Sequence, residues 1–204
     1  MFGILRSSTN TGVGSELIAI FAAPLEIINN QGASVSDTLS LKRVTQDRKA
    51  QRWEISSMIM PIRTNSELFV HSVLKNVTEY FYVRMPQLYS RDLMPEGYTP
   101  VVSLSASVGT DLIVVGGITK SLIKAGEFIT FAGDSKVYLI VDNSDVTYTK
   151  VFPELRSTKA PGTVITYGSK VTMRAFYDVD NASGMKYIDG VLQDPGMLKL
   201  IEAT

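Results

Sequence analysis

The protein has 204 residues, 45 % of them hydrophobic, which suffices for one large domain or two small ones around a buried core. Lysine plus arginine number 20 and aspartate plus glutamate number 20, interspersed along the chain, so no net field draws it to nucleic acid or to an anionic membrane. The absence of cysteine excludes disulfides, thiolate nucleophiles and cysteine metal sites, and it suits synthesis in a reducing cytosol.

Near the start, Thr11-Gly-Val-Gly-Ser15 reads as a flexible turn or arm. A dinucleotide loop would need a strand–loop–helix unit around it. The longest apolar run, Leu17 to Ala23, is far shorter than the about 20 residues that span a bilayer. Only Arg6 precedes it as a basic side chain, so a buried strand is expected and a signal peptide is not. Stretches such as Ile18 to Ile28 are suited to completing a neighbouring molecule's sheet.

Leu39 and Leu41 then alternate with Ser40 and Lys42, and Trp53 and Ile55 with Arg52, Glu54 and Ser56, the mark of half-buried strands. Lys42, Arg43, Arg48, Lys49 and Arg52 form a modest basic cluster that Asp47 and Glu54 dilute, so it reads as a solvated or interface face. Thr64-Asn-Ser-Glu67 matches a capping box, and Phe69, Val73 and Val77 follow on one face, widened by Leu74. This predicts a helix from about Asn65 to Asn76, packed on a sheet through Phe69 and Val73 with Trp53 buried nearby. His71, the sole histidine, falls on the other side of that helix with no nucleophile or carboxylate beside it, and reads as structural. Beyond the helix, Phe81, Val83 and Met85 face one way and Tyr80, Tyr82 and Arg84 the other.

Proline and glycine punctuate the chain at Met94-Pro-Glu-Gly97, flanked by Pro86 and Pro100, and again at Ala160-Pro-Gly162. Between them lie five short strands: Val101–Val108, Leu112–Val115, Glu127–Phe131, Lys136–Val141 and Thr147–Val151. Such a run predicts a small barrel. A second short helix is placed near Thr119 to Ala125. Val115-Gly-Gly-Ile-Thr-Lys-Ser121 fails as a phosphate loop because Thr119, not glycine, precedes Lys120, and it reads as a turn. After Gly162 the alternation returns in Val171, Met173, Ala175 and Tyr177, and finally in Leu198, Leu200 and Glu202 against Met197, Lys199 and Ile201. Asp178-Val-Asp180-Asn-Ala-Ser-Gly184 departs from a calcium loop: Ala182 holds a ligand position, Ser183 replaces the glycine, and Asp189 stands where a bidentate glutamate belongs. It reads as a hairpin loop.

The expected fold is therefore mainly β. Residues 1–90 and 160–204 form one discontinuous domain, a split barrel or sandwich with one helix, and residues 91–159 form an inserted barrel. The carboxylates are scattered, with no pair of the kind glycosidases use. No catalytic, cofactor-binding or metal-ligating residue is assigned, no cofactor is expected, and the protein is not expected to be an enzyme.

The segments Lys124-Ala-Gly-Glu-Phe128, Lys136-Val-Tyr-Leu-Ile140 and Val151-Phe-Pro-Glu-Leu155 resemble the distal tail proteins of tailed bacteriophages. The order of parts extends outward from them. Met85-Pro-Gln87, the capped helix and the Trp53 strand come before; the Gly/Pro turn, Val171-Thr-Met-Arg174 and Met197-Leu-Lys-Leu-Ile201 come after. The resemblance covers most of the chain from about residue 35 and is weakest over the first thirty residues. It implies a hexameric baseplate ring at the distal end of the tail tube, built on a tail-tube-like split barrel with a helix and carrying an inserted barrel of the oligonucleotide/oligosaccharide-binding type outside the ring. The implied partners are other copies of the chain, the tail tube protein, the baseplate hub or tip, and side fibres. Phage DNA is implied only as cargo passing through the channel, and no membrane is involved. The implied location is the virion tail, after assembly in the host cytoplasm. The alternative is a carbohydrate-binding module of a phage tail or cell-surface protein, with Tyr82, Tyr89, Tyr98 and Tyr148 as its aromatic platform.

Overall fold

A computed structural model of the protein describes residues 2–8, 12–37, 43–61, 80–87, 99–116, 123–145, 147–178, 186–188, 191–194 and 197–203. The fold is mainly β, as the period-two patterns require. Among the described residues five strands precede the middle block: β1 (Gly3–Ser8), β2 (Gly12–Phe21), β3 (Glu26–Asp37), β4 (Arg43–Pro61) and β5 (Phe81–Arg84). Four lie in it and a fifth just beyond: β6 (Leu112–Ile113), β7 (Phe128–Phe131), β8 (Val137–Asp142), β9 (Thr149–Phe152) and β10 (Ile165–Thr166). Four follow: β11 (Thr172–Tyr177), β12 (Lys186–Ile188), β13 (Val191–Asp194) and β14 (Met197–Glu202).

The first and last segments share one antiparallel sheet of seven strands, in the order β14-β11-β5-β1-β2-β4-β3. The 19-residue β4 holds it together. Its early residues pair with β3 and its last three with β2. Residues 54–58 pair with β14 as well, from Ile201↔Glu54 to Met197↔Met58, so the pairings run as a circuit. Gly3 lets β1 close on β2, because a Cβ there would stand 2.0 Å from the Ala19 carbonyl oxygen. The inward phase of these strands is apolar and buried: Ile4, Ile18, Trp53, Phe81, Val83 and Leu200 are at most 4 % exposed.

The middle residues form a second antiparallel sheet of five strands, β10-β7-β8-β9-β6, and β12 and β13 make a separate hairpin. Residues 101–108, expected as a strand, make only isolated bridges. Val101 bridges to Val164, Val102 to Val115 and Ala106 to Lys159. Residues 101–103 thereby bond both to the Thr163–Val164 segment beside β10 and to the Val114–Gly116 segment beyond β6. The strand ladder itself does not close into the expected barrel.

Several expectations change in detail. Gly12 to Ser15 are not an arm but the start of β2, paired with β1 through Ser8↔Gly12 and Ser7↔Val13. Ile18 and Ala19 are fully buried in the protein's own core, so this part of the Ile18–Ile28 stretch is not free for a neighbour. The Ala160-Pro-Gly162 signal falls inside the middle sheet. It is a turn closed by the Thr163 N–H on the Ala160 carbonyl, with Gly162 at φ +84°, and the middle sheet continues through β10. Ala125 and Gly126 form a turn, so the second helix does not reach Ala125. The helix predicted over 65–76, with Phe69, His71 and Val73, lies outside the described residues, as do 117–122 and 179–185.

The middle block also packs on the large sheet. Phe128 of β7 and Val137 of β8 are buried within the core of the large sheet. Trp53 meets Phe128 edge-on at 5.3 Å and Phe152 at 6.1 Å between ring centroids. β8 is covered on both sides: Val137 and Leu139 face the large-sheet core, Tyr138 and Ile140 the middle core.

Candidate functional site

The seam between the sheets concentrates the polar chemistry of the molecule. Glu202 ends the apolar phase of β14, and its carboxylate points into that seam. Its Oε2 accepts the Trp53 N–H at 3.0 Å, and its Oε1 accepts the Val137 N–H at 2.9 Å. Lys136, fully buried, donates to Glu202 Oε2 and, at 2.9 Å, to the Gln51 carbonyl. The Trp53 indole N–H donates to the Val137 carbonyl at 2.8 Å. Three remote segments thus meet on one ion pair. Burial pushes the Lys136 ammonium below its ordinary value, and the Glu202 carboxylate opposes that shift. Gln87, beyond β5, adds a polar clamp: its amide accepts the Phe128 N–H at 2.9 Å and donates to the Phe128 and Gly168 carbonyls.

A second buried pair lies within the middle sheet. Asp134 Oδ2 accepts from Lys159 Nζ at 2.6 Å and from the Tyr138 hydroxyl at 2.9 Å, while Oδ1 accepts the Lys136 N–H at 2.9 Å. Lys159 also reaches the Ser157 hydroxyl and sits 5.2 Å from the Phe131 ring centroid. Burial pushes the Asp134 carboxyl up, but the bonds from Lys159, the Lys136 amide and Tyr138 together hold it below its ordinary value. Tyr138 is pushed well above the usual phenol range, by burial first and then by the Asp134 charge.

Two clefts open along the seam. One, of about 320 Å³, lies between the β3–β4 hairpin and β9, lined by Gln31, Gln51, Phe152 and Pro153 with Lys150 and Asp111. The Gln51 side-chain amide is buried there with no hydrogen-bond partner on either atom. The other, of about 260 Å³, is polar and lies between β5–β11 and the β7–β8 turn, lined by Tyr82, Thr130, Asp134, Ser135, Thr172 and Arg174.

The residues singled out from the sequence scatter. Tyr82 sits half-buried on β5 and Tyr148 is exposed just before β9, so these two stand on different sheets, while Tyr89 and Tyr98 lie outside the described residues. Arg43, Arg48 and Lys49 lie along β4, and Arg52 is tied to Glu54 at 2.8 Å. Asp178 pairs with Lys199 at 3.7 Å, whereas Asp180 and Asp189 lie outside the described residues. The seam residues Lys136, Gln51 and Glu202 carried no functional reading in the sequence. The one signal was a glutamate standing in phase with Leu198 and Leu200. No protein-family model matches the chain, and no curated protein matches it.

Proposed function

We propose that the protein is a structural component of a bacteriophage tail, a distal tail protein that forms a hexameric ring joining the tail tube to the baseplate hub or tip. In this reading the seven-stranded sheet lines the ring and the middle sheet faces outward to carry peripheral proteins. One observation carries the proposal beyond the sequence resemblance. Strands from both ends of the chain build one sheet, while a second sheet is inserted between β5 and β11 and held against the first by buried contacts. That is the order of parts the resemblance implies. A head-to-tail ring needs two different complementary surfaces on each subunit, and the outer edge of β3, which no strand covers among the described residues, and the inserted sheet are candidates for the two.

Cryo-electron microscopy of the virion tail tests this. The expected result is six copies at the junction of tube and tip, each contact burying more than about 1,000 Å². Finding the chain in the capsid, at fibre tips, or absent from virions would overturn the proposal.

A further inference from the structure

The polar cleft holds an arginine whose Nε the fold buries without an acceptor. Arg174 stands on the outward phase of β11, between buried Met173 and Ala175 and in register with Tyr82 of β5. Its guanidinium carbon lies 3.8 Å from the Tyr80 ring centroid, a stacking that fixes the plane of the fork. The Nε is buried with no acceptor, and among the described residues no carboxylate forms an ion pair with this side chain. An arginine presents five coplanar N–H donors. Burying one of them, the Nε–H, without an acceptor is costly, and structures rarely tolerate it.

We propose that this cleft binds a small carboxylate carried on a hydroxylated molecule, a hexuronic acid being the simplest case, with Arg174 as the anchor. The planar fork matches a carboxylate in two parallel hydrogen bonds. Around it, Thr130, Ser135 and Thr172 offer hydroxyls and Tyr82 a phenol, neutral groups suited to sugar hydroxyls. The space of about 260 Å³ is much larger than the ~30 Å³ that one water occupies in the liquid, so it holds a body behind the carboxylate. Charge argues for a monoanion. Among the described residues Arg174 is the single cation of the lining, and Asp134, also in it, has its charge offset by Lys159 at 2.6 Å. A phosphate dianion would have one arginine to meet and the Asp134 carboxylate to face. The inference does not depend on the ring, since the isolated chain carries every residue named.

The test is calorimetric titration of the purified protein with D-glucuronate, D-glucose, acetate and inorganic phosphate. Glucuronate is expected to bind with Kd on the order of 1 mM, and the other three at least about tenfold more weakly. Arg174→Gln should abolish glucuronate binding. Arg174→Lys, which keeps the charge but loses the planar fork, should weaken it. Ser135→Ala should weaken it by about three- to tenfold with the fold intact, which separates loss of a contact from loss of structure. No heat with glucuronate, equal binding of acetate or phosphate, or unchanged binding in Arg174→Gln would each overturn the proposal.

Discussion

Two buried lysine–carboxylate pairs sit on either side of one residue, and they serve different ends. Lys136 bonds Glu202 with its ammonium, while its backbone N–H bonds Asp134, the partner of Lys159. The Asp134–Lys159 pair is local: every side chain and amide that bonds to it lies between Phe131 and Lys159. The Lys136–Glu202 pair is not, because it gathers Gln51 and Trp53 of β4, Val137 of β8 and the end of β14. Both pairs incur the desolvation of two charges, so neither is strong evidence of net stability. What differs is what each constrains. The local pair fixes the packing of one sheet, and the remote pair fixes how one sheet sits on the other.

The comparison breaks most visibly at Glu202. Glu202→Ala strands the Lys136 charge and two buried N–H groups, and should cost about 3–5 kcal/mol in urea unfolding. Asp134→Ala should cost less, about 2–3 kcal/mol, because Lys159 retains the Ser157 hydroxyl and lies nearer to water. Trp53, the only tryptophan, reports on the seam alone. Its emission should shift in folded Glu202→Ala and stay put in folded Asp134→Ala. Equal shifts in both variants would show that the pairs act as one network.

Acid sharpens the same contrast. Glu54 is raised by burial but pulled below its ordinary value by hydrogen bonds from Lys199, Asn30 and Arg52, and Asp134 is likewise held low. Each binds fewer protons folded than unfolded, so its contribution is fully present above about pH 5 and is lost as the pH falls through the depressed folded value. Glu127, raised by burial, runs the other way and gains from protonation. Among the described residues three carboxyls are lowered, the exposed Asp142 by its hydrogen bonds from Ser144, against one raised, which predicts a net fall in the urea midpoint between about pH 5 and 3. Glu54→Gln should flatten that fall, and a slope unchanged from the parent would remove Glu54 from the account.

Much of the fold was legible because strands with one wet face alternate. Phe81, Val83 and Met85, then Val171, Met173 and Ala175, then Leu198 and Leu200 are all buried as their phase requires. The same rule misleads at β8. Val137, Leu139 and Val141 look like the inward phase, yet Tyr138 and Ile140 are buried too, and Val141 is half exposed. A strand held between two cores has no wet face, and period two cannot say so. Glu54 stands in the polar phase opposite Trp53 and Ile55, and Lys136 opens the next apolar strand, yet both are buried, with charge partners 145 and 66 positions away in sequence. Pairing at that range leaves no local trace. The glycines of Gly12 to Ser15 signalled a turn, and strand pairing with β1 overrode the signal.

The smallest expected effect lies on the same middle sheet. Lys150 of β9 and Asp111 form an exposed lysine–carboxylate pair at 3.3 Å, with side chains 51 % and 39 % exposed. Its geometry is unexceptional, yet its energetics should be unlike those of the buried pairs. Both charges stay solvated with or without the contact, so removing one strands nothing. Ordering a long lysine side chain also offsets much of the attraction. Lys150→Ala should therefore change stability by at most about 0.5 kcal/mol, and that difference should vanish near 1 M salt, where screening acts over about 3 Å. The Glu202→Ala loss should persist in the same salt, because ions do not reach a pair buried at the seam. Urea unfolding of both variants at low and high salt separates the cases. A Lys150→Ala loss above about 1.5 kcal/mol that salt leaves unchanged would mean that burial is not what distinguishes these pairs. Lys150 would then be acting through its place in the wall of the larger cleft, beside Phe152 and Gln51.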